Sequence, residues 1–524
     1  MAIPLPAVAD RSCSKISSTA TYFQDSLLYL LGYDVGSSSV KAAVIDGASG
    51  KLLASAASPA TEMEIKAPRP GWAEQAPALW WEHVKISTSM LREELGAALG
   101  NVGAIGISYQ MHGLVIVDKN QHVLRPAIIW CDSRAVGIGE QAFKAIGPQR
   151  SLTHLLNSPG NFTASKLRWV QENEPEIYSQ INCMMLPGDY IAMKMTGHPS
   201  TTETGLSEGI FWDYKSEGLS DLVLGCYEID RHLIPQVYPS FSIQGELLAS
   251  TANELGLPAG IPISYRAGDQ PNNALALNVL QPGEWAASAG TSGVVYGISA
   301  EPIYDVETRV NTFIHVNHTS DRRRYGVLLC VNGTGRLNSW LKNLFYDGES
   351  SVSPYDEMNQ RAQAVPIGAD DLVFLPFGNG AERTLMNKDI GAALLNLQLN
   401  MHTMGHILRA AQEGIAFAMN YGVSIMRDMG MELNTIRATH SGMFLSPLFT
   451  EAFTNATGVT LEIYDTDGAQ GAARGAGIGA EYFRSEEEAF GGLVPVKTIS
   501  PVRALQEKYG AAYHKWRLAL DKQI

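Results

Sequence analysis

Asp34 lies between a short apolar run and a turn of small residues. The stretch LLGYDVGSSSVKAAVID covers residues 30–46, and its apolar runs alternate like β-strands on both sides of the turn. The turn offers the backbone N–H groups of four consecutive residues, Gly36, Ser37, Ser38 and Ser39, and the hydroxyls of the three serines. Such a nest of donors attracts phosphate oxygens. The residues alone fit a phosphate-binding hairpin and a serine-rich hairpin with a surface aspartate equally well.

The carboxylate of Asp34 would repel phosphates bound at this turn unless a cation lay between them. Mg²⁺ suits that position, because it prefers oxygen ligands and keeps several of its waters. Lys41 can reach back to a phosphate as a point charge. The turn therefore predicts a phosphate site with a magnesium ion that Asp34 holds through water molecules.

A second hairpin of the same kind follows about half a chain length later. Residues 283–299 read GEWAASAGTSGVVYGIS, again an apolar strand, a turn of glycines and hydroxyls, and an apolar strand. Either hairpin alone could be an ordinary Gly-Ser turn. Their separation suggests one fold used twice, with a cleft between the copies.

Other nucleotide and hydrolase motifs are missing from the sequence. There is no G-x-x-x-x-G-K-[ST] and no G-x-G-x-x-G after a strand, which excludes a Walker-type site and leaves a dinucleotide fold unsupported. H-E-x-x-H and G-x-S-x-G do not occur either.

Composition limits the class of partner. The 524 residues carry a formal charge of −14, which argues against nucleic acid and an anionic membrane surface as partners. No apolar run approaches the roughly 20 residues of a membrane span. The five cysteines show no paired spacing, so we expect a reduced, cytoplasmic protein. Residues 1–27 are interpreted as an N-terminal extension outside the fold.

The elements that must position these turns alternate between strands and helices. The segment GKLLASAASPA predicts a strand, and VGAIGISYQMHGLVIVD predicts a strand, a turn and a strand. Amphipathic helical patterns alternate with these segments and with the hairpin at 283–299, among them APALWWEHVKISTSMLREELGAAL and a long pattern from Met401 to Gly430. This alternation predicts an α/β fold, and the chain length predicts two domains. The small-residue run GAQGAARGAGIGAEYF predicts a helix packed closely on its neighbours.

Several motifs together resemble a known family. The Asp34–Lys41 turn, the Gly290–Gly293 turn and the turn around Gly442 resemble the phosphate and adenosine elements of the actin-like ATPases. GWAEQ at 71–75, QMHG at 110–113, FTASKLRWV at 162–170 and PGDYI at 187–191 resemble the FGGY carbohydrate kinases. Within that family, QMHG, WCDSRA and the turn at 268–270 most resemble xylulokinases. The resemblance covers about residues 28–485.

The resemblance implies a fold and a reaction. It implies two actin-like, ribonuclease H-like domains facing a central cleft, a sugar-binding domain at 28–281 and a nucleotide-binding domain at 282–524. It implies ATP and Mg²⁺ as cofactors, a small sugar as substrate and a homodimer as the assembly. The expected reaction is phosphorylation of D-xylulose to D-xylulose 5-phosphate. L-ribulose, L-fuculose, glycerol and gluconate remain alternative substrates, and an actin-like chaperone or filament ATPase remains the rival class.

The resemblance also assigns roles on the sugar side. Asp269 corresponds to the family's catalytic base, although the residues alone leave it open as a helix cap. Met111 and His112 match the pair that contacts the ketose, and Gln270 takes the place of a further sugar-binding amide. Trp130 and Asp132 are expected to line the sugar pocket, with core packing of Trp130 as the alternative.

On the nucleotide side, the resemblance assigns the turn residues. Gly290, Thr291 and Ser292 would hold the β- and γ-phosphates, and Gly333 and Gly442 would let backbone approach the nucleotide. Met443 is expected to bind the nucleotide as part of the adenosine segment, where SGMFLSP departs from the family's usual run of small residues and leaves nucleotide preference open. The segment PFGNGAERT at 376–384 resembles a family loop near the domain interface, with no chemical role assigned. The turn GDQPNN also departs from the usual Gly-Asp-Asn, so sugar choice is less fixed than reaction type.

Overall fold

A computed structural model describes residues 28–346 and 353–524 of the chain. The predicted N-terminal extension lies outside the described residues. The strands, β1 to β22 in chain order, are Tyr29–Val35, Val40–Asp46, Leu52–Ser58, Glu74–Gln75, Val102–Tyr109, Val115–Val117, Ala127–Ile128, Cys183–Met185, Ser200–Thr202, Trp212–Asp213, Gly218–Leu219, Gln236–Tyr238, Ile263–Gly268, Gly283–Ala289, Gly293–Ser299, Asn311–Ile314, Tyr325–Val331, Val373–Leu375, Ala393–Leu395, Leu433–Thr439, Thr460–Tyr464 and Pro495–Ile499.

The α-helices, α1 to α16 in chain order, are Pro77–Leu95, Val136–Ile146, Pro148–Leu155, Thr163–Asn173, Pro175–Tyr178, Pro187–Thr196, Glu203–Glu208, Asp221–Tyr227, Ala249–Leu255, Asp269–Ala276, Thr334–Phe345, Pro354–Gln363, Met404–Asp428, Pro447–Thr457, Gly468–Gly479 and Arg503–Asp521. Short 3₁₀ helices cover Gly96–Asn101, Arg231–Leu233, Ala369–Asp371, Arg383–Leu385, Gly442–Leu445 and Glu488–Phe490. None of the helices in the described part of the chain combines the length and apolar character that a bilayer span requires.

Two mixed sheets form the framework, and they repeat one topology. The first has the order β13-β5-β1-β2-β3, and the second contains β21-β20-β14-β15-β17. In both, an antiparallel hairpin (β1-β2 or β14-β15) has a third antiparallel strand on one side and two parallel strands on the other. The α/β fold with a duplicated unit, predicted from the two hairpins, is confirmed.

Helix α1 shows how the sequence covers a sheet. Its first residue is proline, whose missing N–H would have no partner in the first turn. Trp80, Val84 and Leu91 recur at helical spacing and are fully buried in one cluster with the first sheet. Each fully buried side chain of this size contributes about 1.5–3 kcal/mol.

Helix α15 is the small-residue helix, and it packs on the first sheet although along the chain it lies between β21 and β22 of the second. A Cβ on Gly32 would lie 1.9 Å from the carbonyl oxygen of Ala469, and one on Gly106 would lie 2.0 Å from that of Ala472. Glycine in the strands and alanine in the helix therefore permit this close contact. The predicted close packing is confirmed, and the domain boundary at residues 281 and 282 stays a prediction.

Candidate active site

A cavity of about 640 Å³ is lined by residues from both halves of the chain. It brings together most of the residues that the sequence singled out. Those lining it are Asp34, Gly36, Ser37, Ser38, Lys41, Met111, His112, Trp130, Asp269, Gln270 and Ser292.

Asp34 lies at the end of β1, where the first hairpin turns. Its carboxylate accepts a hydrogen bond from the Ser108 hydroxyl at 3.0 Å. Lys41 stands directly opposite on β2, so the two side chains share one face of the sheet. Burial raises the pKa of Asp34, and the neighbouring Lys41 charge partly offsets that effect. A cation brought by a phosphate would stabilise this carboxylate further.

The turn after Asp34 is fixed from a distance by Gln75. The Gln75 amide donates to the carbonyl oxygen of Ser37 at 2.7 Å, and its own oxygen accepts from the Trp80 ring nitrogen at 3.0 Å. Gln75 belongs to the GWAEQ segment, to which the sequence assigned no role. Its position explains why an amide is needed there.

Asp269 begins helix α10 at the end of β13, and its carboxyl faces the cavity. Gly268 occupies the cap position and no side chain caps this helix, so the helix-cap alternative for Asp269 is wrong. Pro271 is tolerated because it stands in the first turn. Burial, together with the nearby Asp34 charge, raises the pKa of Asp269 to about 7. A carboxylate with that pKa can accept a proton near neutral pH.

His112 adopts a left-handed backbone conformation with φ of 62°. Two buried ionisable side chains hold it there. The Glu208 carboxyl accepts the His112 backbone N–H at 2.9 Å, and the Lys166 ammonium donates to the His112 carbonyl oxygen at 2.8 Å. Lys166 also donates to the Ile129 carbonyl oxygen at 3.0 Å. These contacts fix a backbone conformation that non-glycine residues rarely adopt.

A further contact with Glu208 determines which nitrogen of the His112 ring carries the hydrogen. Its Nδ1 lies 3.0 Å from the backbone oxygen of Glu208, and a carbonyl can only accept, so Nδ1 carries the hydrogen. Burial lowers the pKa of His112 to about 3, which keeps the ring neutral. The ring packs edge-on against Phe162 with centroids 4.7 Å apart. Nε2 is therefore the acceptor that this ring can offer to a ligand hydroxyl.

Sequence reasoning missed Glu208 and Lys166. A lysine inside the otherwise apolar face of FTASKLRWV was an available signal, since buried lysines need partners. Burial lowers the pKa of Lys166 to about 7 and raises that of Glu208 well above its usual range. Glu208 carried no such signal, because only the folded chain brings helix α7 beneath His112.

Trp130 and Asp132 have different surroundings. Trp130 is 47% exposed and lines the cavity. Its ring nitrogen donates to the Ser37 hydroxyl at 3.3 Å, so the core-packing alternative is wrong.

Asp132 is fully buried and does not line the cavity. Its carboxylate binds the Arg134 guanidinium at 2.7–3.0 Å and accepts the Ala73 N–H at 2.5 Å. The expectation that Asp132 lines the pocket is corrected, because these partners already satisfy it.

The nucleotide-side turns pack on one another. Gly335 and Arg336, at the start of α11, donate backbone N–H groups to the carbonyl oxygens of Gly290 and Thr291 at 2.9 and 3.1 Å. A Cβ on Gly442 would lie 2.2 Å from the Ala289 oxygen. These turns therefore form one compact wall beside Ser292, which is called the nucleotide wall below.

Gly333 leaves no room for a side chain, because the backbone of Pro376 occupies the space beside it. A Cβ there would lie 1.8 Å from the Pro376 oxygen. Of the nucleotide-side residues expected in the second half, only Ser292 lines the cavity in the described part of the chain; Gly290, Thr291, Gly333 and Gly442 are not among its lining residues.

Met443 differs from its expected role. Its side chain is 4% exposed and belongs to the core beneath the second sheet, together with Phe444. The expectation that the Met443 side chain contacts the nucleotide is therefore corrected. Leu445, two residues on, is 57% exposed.

The donor set at the cavity can be tested against a divalent metal. Asp34 and Asp269 offer carboxylate oxygens, the ligands that Mg²⁺ prefers. Within residues 28–346 and 353–524, no three or more His, Cys, Asp and Glu side chains gather as a metal cage. The residues thus fit a metal that shares one or two carboxylates with substrate phosphates.

Comparison with known proteins agrees with this geometry. The model for the N-terminal domain of the FGGY family of carbohydrate kinases matches residues 29–276, and that for the C-terminal domain matches 285–481. The chain is 28% identical over 487 residues to the xylulose kinase of Escherichia coli (strain K12), which covers 93% of this chain and 96% of the relative. It is 30% identical over 498 residues to the L-xylulose/3-keto-L-gulonate kinase of the same strain, covering 93% and 96%.

Among solved structures, the chain is similar to one described as a "xyloylose kinase from Brucella ovis". The TM-score is 0.84 at 25% identity, and the alignment covers 94% of this chain and 98% of that one. The similarity therefore extends over both sheets and the cavity that their residues line.

Proposed function

The chain belongs to the FGGY family of carbohydrate kinases, and from this premise we propose that it transfers the γ-phosphoryl group of ATP to D-xylulose, giving D-xylulose 5-phosphate. The observation that carries the proposal is Asp269, whose carboxyl faces the cavity with a pKa of about 7 beside Asp34. The names of the relatives favour a ketopentose as the acceptor.

Asp269 accepts the proton of the attacking sugar hydroxyl as the new O–P bond forms and ADP leaves. His112 accepts a hydrogen bond from another sugar hydroxyl at Nε2, and Met111 and Gln270 line the same region. The transition state of phosphoryl transfer is loose, so positioning and charge stabilisation dominate over base strength. Asp269 therefore acts mainly on a sugar that its neighbours have already oriented.

The phosphates lie in this proposal between the two hairpin turns. Ser37, Ser38 and Lys41 donate from the first turn, and Gly290, Thr291 and Ser292 donate from the second. Gly333 and Gly442 shape the wall behind the second turn through their backbone contacts. Mg²⁺, held by Asp34 through water, would neutralise charge on the phosphoryl oxygens when bound.

Water at about 55 M competes with the sugar for the phosphoryl group, so we expect the cleft to close on bound sugar. The cavity lies between residues of both chain halves, as such a closure requires. The four described cysteines, Cys131, Cys183, Cys226 and Cys330, are free thiols. They support a cytoplasmic setting for the reaction.

A second candidate is a sugar acid as the acceptor. Arg383 lines the cavity, and no carboxylate in the described residues forms an ion pair with it. One relative is named for 3-keto-L-gulonate as well as L-xylulose. An acidic sugar could provide the negative charge that Arg383 otherwise lacks.

ADP formation by the purified protein tests both candidates. The reaction would contain ATP and Mg²⁺ with D-xylulose, L-ribulose, L-fuculose, glycerol, gluconate, 3-keto-L-gulonate or no sugar. Highest kcat/KM with D-xylulose and loss of activity on chelation of the metal are expected. Preference for a sugar acid would favour the second candidate, and a rate independent of every sugar would exclude both.

A further inference from the structure

Arg383 lies on the segment PFGNGAERT, which the sequence left without a chemical role. We propose that Arg383 binds an oxygen acceptor at the end of the sugar opposite the transferred phosphoryl group. The second half of the chain then supplies part of the sugar pocket as well as the nucleotide wall. The inference rests on the proposed sugar kinase function and deepens it.

The position of Arg383 supports a sugar contact. Its guanidinium carbon lies 5.5 Å from the centre of the Phe162 ring, and that ring packs on His112. A Cβ on Gly160 would lie 3.1 Å from Arg383 Nη2. These neighbours come from the sugar side of the cavity, in the first half of the chain, and all four residues line the cavity.

The charge of Arg383 is only partly compensated by the protein. Its Nη1 donates to the side-chain oxygen of Asn311, a neutral amide. Burial lowers the pKa of Arg383 to about 10. No carboxylate in the described residues forms an ion pair with it to offset that effect. A guanidinium has five N–H donors, so most of them remain for a ligand.

The loop that carries Arg383 is fixed to the nucleotide wall. The carboxylate of Glu382 accepts the Asn332 backbone N–H at 2.9 and 3.1 Å, and Pro376 packs against Gly333. Arg383 thus projects from a rigid part of the second half toward the sugar side of the first. Its guanidinium is positioned before a ligand arrives, which lowers the entropy lost on binding.

The chemistry on the two sides of the pocket is complementary. His112 Nε2 can only accept, so it recognises a sugar hydroxyl, whereas Arg383 can only donate. In a ketopentose phosphorylated at one end, the keto oxygen lies toward the other end. In a sugar acid, a carboxylate takes that place. Both provide an sp² oxygen acceptor, and the substrate experiment distinguishes them.

Steady-state kinetics of three variants test the proposal in the full-length protein. Arg383→Gln removes the charge, Asn311→Asp offers the guanidinium a carboxylate of the protein's own, and Arg503→Gln is the control. Arg503 belongs to the same half of the chain, and its side chain is 94% exposed. Each is assayed with D-xylulose and with gluconate as acceptor, and the KM for ATP is measured in parallel.

We expect Arg383→Gln to lower kcat/KM for the preferred sugar by about 10- to 100-fold, the effect of losing hydrogen bonds from a charged donor. Asn311→Asp should lower it several-fold, because an internal ion pair competes with the ligand. The KM for ATP should stay within about twofold, and Arg503→Gln should match the wild type. A wild-type preference for D-xylulose identifies the keto oxygen as the acceptor, and a preference for gluconate identifies the carboxylate.

An unchanged KM for sugar in both Arg383→Gln and Asn311→Asp would overturn the proposal. Equal increases in the KM for sugar and for ATP with a lower melting temperature would also overturn it, since they indicate a purely structural role. The wild type separates this failure from failure of the proposed function. Sugar-dependent ADP formation by the wild type upholds that function whatever the variants do, and sugar-independent formation rejects it.

Discussion

The two walls of the cavity are built in different ways. The wall from the first half holds its functional groups with buried ionisable side chains, as Lys166 and Glu208 hold His112. The wall from the second half is shaped by glycines whose missing side chains let backbone segments touch, as Gly333 and Gly442 show.

This difference separates two kinds of recognition. A sugar presents hydroxyls in fixed directions, so its site needs side chains held in single orientations. A polyphosphate presents many equivalent oxygens, so backbone N–H groups of correct curvature suffice. Substitutions among the sugar-side residues of the first wall should therefore change chemistry and sugar binding, and substitutions at the glycines of the second wall should change shape and ATP binding.

Removing the carboxylate of Asp269 should give the largest effect. Asp269→Asn keeps the size of the side chain but cannot accept the proton of the sugar hydroxyl. We expect kcat to fall by about 10²- to 10⁴-fold, the usual contribution of a general base. Binding of ATP, measured by calorimetry, should change little. Asp321→Asn, at an exposed position, is the control, and a near-wild-type kcat in Asp269→Asn would reject the assigned base.

The raised pKa of Asp269 also fixes the direction of its pH effects. With a pKa of about 7, kcat/KM of the wild type should fall about tenfold per pH unit below 7. The pKa is higher in the folded state than the ordinary value of 3.8 for an aspartate in the unfolded chain, so ionising Asp269 costs folding stability, and the cost is complete above pH 7. Asp269→Asn should therefore melt at a higher temperature than the wild type at pH 8, and the difference should vanish near pH 4.

Removing the hydrogen bond that holds the His112 backbone should give the next largest effect. Glu208→Ala removes the acceptor for the His112 N–H, whereas Glu208→Gln keeps an oxygen there. We expect the alanine variant to raise the KM for sugar about tenfold, the effect of losing one buried hydrogen bond. The glutamine variant should recover most of the loss, and the KM for ATP should not change. Failure of glutamine to rescue would show that the Glu208 carboxyl acts through more than this one hydrogen bond.

Two glycine substitutions on the second wall should have different results. A Cβ at Gly333 would lie 1.8 Å from the Pro376 oxygen, whereas one at Gly290 meets nothing within 4 Å. Gly333→Ala should lower the stability by about 1–3 kcal/mol, the usual cost of overpacking. Gly290→Ala should leave the melting temperature unchanged and raise the KM for ATP several-fold. An unchanged KM in Gly290→Ala would remove the second hairpin from the phosphate site.

The sequence predicted the framework well, because hairpins and helices leave local patterns. The two Gly-Ser turns, the strands beside them and the close-packed helix α15 are all present. Residues at turns, such as Asp34, Ser37 and Asp269, could be assigned to the cavity because strand ends of one sheet lie together. The family resemblance added the roles that spacing alone left open.

The sequence could not predict contacts that join distant segments. Glu208 lies 96 residues after His112, and Arg383 meets Asn311 across 72 residues, so neither leaves a local pattern. Asp132 shows the opposite error, because a polar residue beside a cavity residue can be satisfied inside the protein. Its partner Arg134 is two residues away, but the bond from Ala73 comes from another segment.

The smallest effect is expected at Met443, where the two walls can be compared most directly. Its side chain is buried in the core of the second half, so Met443→Leu conserves the volume and should cost less than about 1.5 kcal/mol. The KM for ATP should stay within twofold, because the backbone of the Gly442 turn, and not this side chain, borders the second hairpin. A larger increase in the KM for ATP, with an unchanged melting temperature, would mean that the Met443 side chain leaves the core to meet the nucleotide. The glycine-rich turns of the second wall would then meet the nucleotide through a side chain, and the distinction between the two walls would fail.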